Sequence, residues 1–147
     1  MPRRLLAIPL APWERDGLKA ALVKSGLAVE DIGNPAILFW RFEAFEDIPV
    51  GFGGIELHGR DALLRSVVTL PPLRQVGMGA AIVAALEIEA RALKCEAAYV
   101  ISACVRKFFV RLGYVTCAAD NVPEQIRASS EFARHGGKGA VLTKRLV

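Results

Sequence analysis

Three sets of residues in this sequence are equipped to do chemistry, and the first is the run Arg74-Gln75-Val76-Gly77-Met78-Gly79-Ala80. It leads into a stretch rich in alanine, leucine and glutamate, so it opens a helix. First-turn amide hydrogens have no intrahelical acceptor, and the helix dipole puts about half a positive charge at that end. Gly77 and Gly79 carry no side chain, so an anion such as a phosphate can come close to the amides of Val76, Gly77, Met78, Gly79 and Ala80. Arg74 sets a cation beside that nest. No Gly-Lys-Ser/Thr follows, so this is not a P-loop. The dinucleotide fingerprint is also absent, because its third glycine is missing and the preceding strand ends in Pro71-Pro72. An ordinary strand-to-helix loop with two helpful glycines is the alternative.

The second set is charged. Glu56 shares one side of an expected strand with Phe52, Gly54 and His58, where a carboxylate can serve as a general base. A solvated or ion-paired strand glutamate is the other reading. Arg65 stands within an apolar strand, where an unpaired cation is costly. It should therefore pair with an acid such as Glu56 or hold an anionic group of a substrate. Arg127 falls in a late segment that either covers a substrate pocket or lies on a solvated face.

The cysteines form the third set. Cys95, Cys104 and Cys117 are odd in number and widely spaced, with no CxxC and no Cys/His cluster, so neither a zinc site nor a disulfide framework is indicated. Cys104 has no histidine beside it in sequence, and His58 and His135 fall in expected turns. A buried or incidental thiol is favoured over a nucleophile. Reduced thiols fit a cytoplasmic setting.

These residues need a scaffold, and the chain's patterning supplies one. At 147 residues, 53% apolar and 23% charged, the chain suits one domain over residues 1–147 with a sizeable core. No apolar run reaches the length of a membrane helix, and Pro9 and Pro12 interrupt the first apolar stretch, so it reads as a strand rather than a leader. The net charge of +4 comes from scattered basic residues, which argues against a nucleic-acid partner. Residues 4–10 read as an edge strand. Pro12 opens an amphipathic helix with Trp13, Leu18, Leu22 and Val23 on one side, stopped by Gly26. Strands follow at 36–44, 49–58 and 62–70, the last two joined by a tight turn at His58-Gly59-Arg60-Asp61. A helix then covers 79–94, a strand 96–102 and a second helix 105–112, closed by Gly113 as a left-handed cap. Strands at 114–118 and 139–146 complete a β-α-β-β-β-α-β-α-β-β order.

The run Gln75-Val76-Gly77-Met78-Gly79-Ala80 resembles the Gln/Arg-x-x-Gly-x-Gly/Ala motif of the GNAT acetyltransferases, in its usual place after a strand and before a long helix. Phe108-Phe109-Val110-Arg111-Leu112-Gly113-Tyr114 resembles that superfamily's Phe-Tyr-x-x-x-Gly-Phe/Tyr segment. The likeness covers roughly residues 49–147. It implies a mixed α/β fold: a mostly antiparallel central sheet, splayed between its fourth and fifth strands, with flanking helices. It also implies acetyl-CoA as co-substrate, which a mildly positive field suits. The amides of residues 75–80 would then hold the pyrophosphate beside Arg74, and Val67 and Val68 on the splayed strand would pair with the pantetheine. Ser102 and Phe108 would be further cofactor contacts, with Ser102 or a water assisting the thiolate. More narrowly, Leu64-Arg65-Ser66, Val122-Pro123-Glu124-Gln125-Ile126-Arg127-Ala128, Phe132 and Ala140-Val141-Leu142 resemble the arsenic-resistance N-acetyltransferase-like branch. A related branch acetylates amino-acid toxins such as arsinothricin and phosphinothricin.

The resemblance implies direct attack of an amine on the thioester, with Glu56 as base and Arg65, Ser66 and Arg127 on the acceptor. The usual tyrosine acid is replaced by Phe109, and Tyr114 reads as a core residue. The expected protein is thus a cytoplasmic N-acetyltransferase for a small-molecule amine, monomeric or homodimeric, with no metal, nucleic-acid or membrane partner. The alternative is a catalytically silent domain that binds acyl-CoA as a sensor or partner module.

Overall fold

A short edge strand, β1 (Leu6–Pro9), starts the fold, because Pro9 and Pro12 prevent the apolar stretch from continuing. The computed structural model describes residues 4–45, 48–70, 77–102, 105–134 and 140–147. After β1 come α1 (Arg15–Lys24), β2 (Ile37–Phe45), β3 (Ile48–His58), β4 (Asp61–Thr69), α2 (Met78–Ala92) and β5 (Ala97–Ser102). The rest is α3 (Arg106–Arg111), β6 (Val115–Thr116), α4 (Glu124–Arg127), α5 (Ser130–Arg134) and β7 (Ala140–Arg145). The seven strands form one sheet in the order β1-β2-β3-β4-β5-β7-β6. The β1–β2, β2–β3, β5–β7 and β6–β7 pairs are antiparallel, whereas in the β4–β5 pair Asp61, Ala62 and Leu63 run parallel to Ala97, Ala98 and Tyr99. Parallel pairing requires a crossover, and α2 is the helix that supplies it.

The chain divides into two units, Met1–Glu56 with Leu64–Glu89 and Leu57–Leu63 with Ala90–Val147. In the first, Leu18 and Leu22 of α1 are fully buried with Ile32, Ile37, Phe39, Phe52 and Val68 around them. Each such leucine contributes about 1.5–3 kcal/mol of burial. Trp13 and Val23 do not join this face, contrary to the sequence expectation: they are 84% and 64% exposed. Pro12–Glu14 is a 3-10 turn and the α-helix begins only at Arg15. Helical periodicity therefore selects Leu18, Ala21 and Leu22 as the inward positions. On β3, Gly51 and Gly53 make room for α2: a Cβ on Gly53 would sit 2.8 Å from a Leu86 methyl, and one on Gly51 2.6 Å from Ile82 Cδ1.

The second unit packs Val122, Ile126 and Val141 against Tyr99, Ile101, Cys117 and Phe132. β5 and β7 pair over six residues, from Ala97↔Arg145 to Ser102↔Ala140. The short helices α4 and α5 were not distinguished in the sequence. Ile126 of α4 is buried in this core, and Phe132 of α5 packs against it.

Candidate active site

Glu56 and Arg65 come together as their strands predict. The β3–β4 turn brings the two residues back alongside each other, and Arg65 Nη1 donates to Glu56 Oε1 at 3.1 Å. A third residue, which sequence reasoning missed, joins them. Asp31, in the segment between α1 and β2, receives both prongs of the Arg65 fork: Nη2 donates to Oδ1 at 2.6 Å and Nη1 to Oδ2 at 2.7 Å. Arg65 Nε also approaches Ser66 Oγ at 3.3 Å. The side chains of Arg65, Glu56 and Asp31 are 1%, 8% and 14% exposed, so this is a buried ionic cluster. Arg65 and Glu56 are thus ion-paired with each other, as one reading of each residue held. No rule of spacing singles out Asp31, which is near Glu56 and Arg65 only after α1 folds against the sheet.

Ser66 adopts φ +57, a left-handed conformation uncommon for a non-glycine residue in a strand. Beyond it Val67 is half-buried and Val68 is buried. Leu70 N still donates to Val50 O at 2.8 Å, which holds the end of β4 against β3. Of the anion-loop residues, Arg74, Gln75 and Val76 lie outside the described residues. Gly77 takes φ +94, where a side chain would be strained. The Ala81 N to Gly77 O bond, 3.0 Å, opens the ladder of the 15-residue α2. The amides of Met78, Gly79 and Ala80 therefore belong to the first turn and point away from the ladder, as an anion site requires. The Met78 side chain is buried, so its backbone is what it can offer a ligand.

The residues expected in the second unit are found in more structural roles. Ser102 is buried and its Oγ accepts from Val105 N at 2.8 Å, which helps start α3. Cys104 and His135 lie outside the described residues, and His58 ends β3 rather than lying in the turn. Phe108 is half-buried and meets Phe109 edge to face, with centroids 5.0 Å apart. Tyr114 is 1% exposed, in keeping with a core residue. Arg127 is exposed on α4, and its Nε donates to Val122 O at 3.3 Å. A surface hollow of about 570 Å³, lined by Arg60, Arg91, Lys94, Cys95 and Leu146 among others, contains none of the candidate site residues. Near it burial pushes the Asp61 carboxyl up, with His58 opposing and Glu96 reinforcing the shift. Burial likewise raises the Cys95 thiol, and Asp61 adds to that shift. Among the described residues no group of three or more His, Cys, Asp and Glu side chains could hold a metal. Among them, too, no helix is long and apolar enough to cross a membrane.

No protein-family model and no curated protein matches the sequence. Solved structures match its fold closely. N-acetylglutamate synthase from Neisseria gonorrhoeae, complexed with coenzyme A and N-acetyl-glutamate, aligns with 97% of this chain at a TM-score of 0.79 and 17% identity. The chain spans about a third of the length of that protein, 35%. A Mycobacterium tuberculosis protein in complex with CoA aligns over 97% of this chain and 99% of its own, with TM-score 0.74 and 17% identity. A GNAT-family acetyltransferase from Staphylococcus aureus gives TM-score 0.71 at 12% identity over 97% and 99% of the two chains. The fold, a mixed seven-stranded sheet with flanking helices, is that of the GNAT acetyltransferases.

Proposed function

We propose that residues 1–147 form an acetyl-CoA-dependent N-acetyltransferase domain acting on the amine of a small molecule. The observation that carries the reading is a GNAT fold in which the first turn of α2 follows a left-handed Gly77, while a buried Glu56 stands on β3 of the same unit. In this reading the amides of Gly77, Met78, Gly79 and Ala80 hold a phosphate group; Arg74, Gln75 and Val76, which it also assigns to the cofactor, lie outside the described residues. Acetyl-CoA supplies the activated acetyl group. Glu56 accepts the proton of the attacking amine, directly or through water, as the new C–N bond forms and the C–S bond breaks. The thiolate leaves with the bonding pair and takes a proton from solvent, because Phe109 offers none. Val67, Val68, Ser102 and Phe108 are the further cofactor contacts that this reading requires.

The finer acceptor reading is an amino-acid-like toxin of the arsinothricin or phosphinothricin type, which the residues shared with the arsenic-resistance branch support. Asp31 and Glu56 already engage Arg65, and this reading assigns the acceptor's anion to Arg65, to Ser66 beside it or to Arg127. One observation favours a second reading, a silent acyl-CoA-binding module: Phe109 is buried and lacks the acid's hydroxyl. Turnover separates the two. Thiol release from acetyl-CoA with amino-acid analogues, polyamines and aminoglycosides should appear for at least one acceptor. Tight CoA binding with no release across the panel would leave the silent module standing.

A further inference from the structure

We propose that the hollow where α2 ends and β5 begins is a second ligand site, for a small organic anion: a phosphate or carboxylate group on an apolar body. It lies wholly within the second unit and goes beyond the acetyltransferase reading. Glu96 precedes β5 and Ser102 ends it, so the hollow stands about 20 Å along the strand from that expected cofactor contact. Its volume of about 570 Å³ falls within the range of small-molecule sites, roughly 300–1,000 Å³.

The end of α2 builds the charged side. Lys94 N donates to Arg91 O at 3.0 Å and Cys95 N to Ala90 O at 2.9 Å, the bond pattern of a left-handed helix cap. Glycine is usual at that position, yet Lys94 holds it at φ +69. The two bonds satisfy carbonyls that would otherwise repel an anion. Arg91 Nε donates to Leu146 O at 2.9 Å, which fixes the guanidinium and leaves its Nη pair, an edge that grips a carboxylate or phosphate with two hydrogen bonds. Among the described residues neither that pair nor the Lys94 ammonium has a partner. Arg60, ion-paired with Glu96 at 2.9 Å, is the third cation of the lining, against that one carboxylate side chain. A cation in the last turn complements the helix dipole, and Arg91 meets that need; Lys94 and Arg60 add charge that it does not require. Cys95 stays neutral because burial pushes its thiol up. Leu93, Leu146 and Val147 supply the apolar side, against which a ring or short hydrocarbon chain can lie.

Nitrogen-15 spectra of the full chain, covering the amides and the arginine Nε–H groups, test the site without needing turnover, in about 0.15 M salt so that loose ion pairing is screened. Phenyl phosphate should shift the Arg91 Nε–H and the amides of Lys94, Cys95 and Glu96 along a saturating curve. It should bind about tenfold more tightly than inorganic phosphate, because its ring meets the apolar lining. Phenylacetate is the carboxylate arm, and whichever organic anion binds more tightly sets the ligand's anionic group. Lys94→Asn suits the left-handed position and removes the charge, so it should weaken binding about fivefold. Arg91→Gln should weaken it about tenfold or more. Shifts that never saturate, inorganic phosphate binding as tightly as either organic anion, or affinity unchanged in Lys94→Asn would each overturn the proposal. If Arg91→Gln does not fold, Lys94→Asn decides alone. A response to phenyl phosphate at Gly79 and Ala80 with none at Arg91 also overturns it, since those amides belong to the proposed cofactor loop. A response at Arg91, with CoA leaving Gly79 and Ala80 unmoved, keeps the hollow and retires the cofactor reading.

Discussion

The rings of Phe109 and Tyr114 meet edge to face, 5.4 Å between centroids and 72° between planes, with Lys144 Nζ 5.6 Å from the centre of the tyrosine ring. Such an aromatic pair contributes about 0.5–1.5 kcal/mol beyond its buried area. Tyr114 is therefore employed in packing, and Tyr114→Phe should keep kcat within about threefold, far short of the 10²–10⁴-fold attached to a general acid. A loss of a hundredfold or more, with CoA affinity intact, would make Tyr114 the acid. Phe109→Tyr should raise turnover, or leave it unchanged if solvent already protonates the thiolate efficiently.

Gly77 separates shape from chemistry. At φ +94 an alanine would be strained although nothing lies within 4 Å of its Cβ. Gly77→Ala should therefore destabilise the free protein by about 1–3 kcal/mol. Gly77→Glu adds a negative charge to the proposed phosphate nest. CoA at one hundred times its dissociation constant should stabilise the wild type by about 2.7 kcal/mol, and Gly77→Glu should show no such shift. A wild type without any thermal shift at millimolar CoA would remove the cofactor site.

Much of this was legible because it rests on local rules. The period-two strands at residues 49–58 and 62–70, the turn at Gly59, the helix after Gly77 and the left-handed Gly113 all stand within a residue or two of their expected places. The Glu56–Arg65 contact was also within reach, because one hairpin joins the two strands. Asp31 was not, because its partner lies 34 positions away and 15 acidic residues compete for the role. Trp13 was misjudged because a tryptophan before a helix looks like core, and only the 3-10 turn at Pro12–Glu14 turns it to solvent.

Two glycines should respond to alanine in opposite ways. Gly17 lies inside α1 with open space around its Cβ direction, so Gly17→Ala should stabilise by about 0.5–1 kcal/mol through helix propensity. Gly51→Ala would press on the backbone of Val68 and on Ile82 of α2. Overpacking of this kind costs about 1–3 kcal/mol, and contact with backbone places it at the upper end. Urea unfolding of both variants checks the pair, and equal midpoints would show that β3 and α2 are not in the contact described.

Asp61 gives a pH dependence of defined sign. Burial raises its folded-state pKa above the unfolded value of 3.8, so the native state binds the proton more tightly. Stability from this group is present at low pH and is lost as pH rises from about that value through the raised one. Asp61→Asn should therefore increase the urea midpoint at pH 7 and leave it unchanged near pH 3. A gain that persisted at pH 3 would point to a cause other than ionisation.

The last prediction concerns Arg65, whose removal leaves Asp31 and Glu56 facing each other without their shared cation. Were Arg65 chiefly a ligand for the acceptor's anion, Arg65→Met would spare the fold and weaken acceptor use alone. The geometry argues otherwise, since Asp31 and Glu56 occupy its fork and its side chain is 1% exposed. Removing one partner from a buried pair costs about 3–5 kcal/mol, and the partial exposure of the two carboxylates places this change near the lower figure. Arg65→Met should thus lower stability by about 3 kcal/mol at pH 7, as read from the urea midpoint. Combining it with Asp31→Leu should recover part of the loss, because one stranded charge is removed. A fully stable Arg65→Met protein with a raised acceptor KM would reverse the assignment and return Arg65 to the substrate.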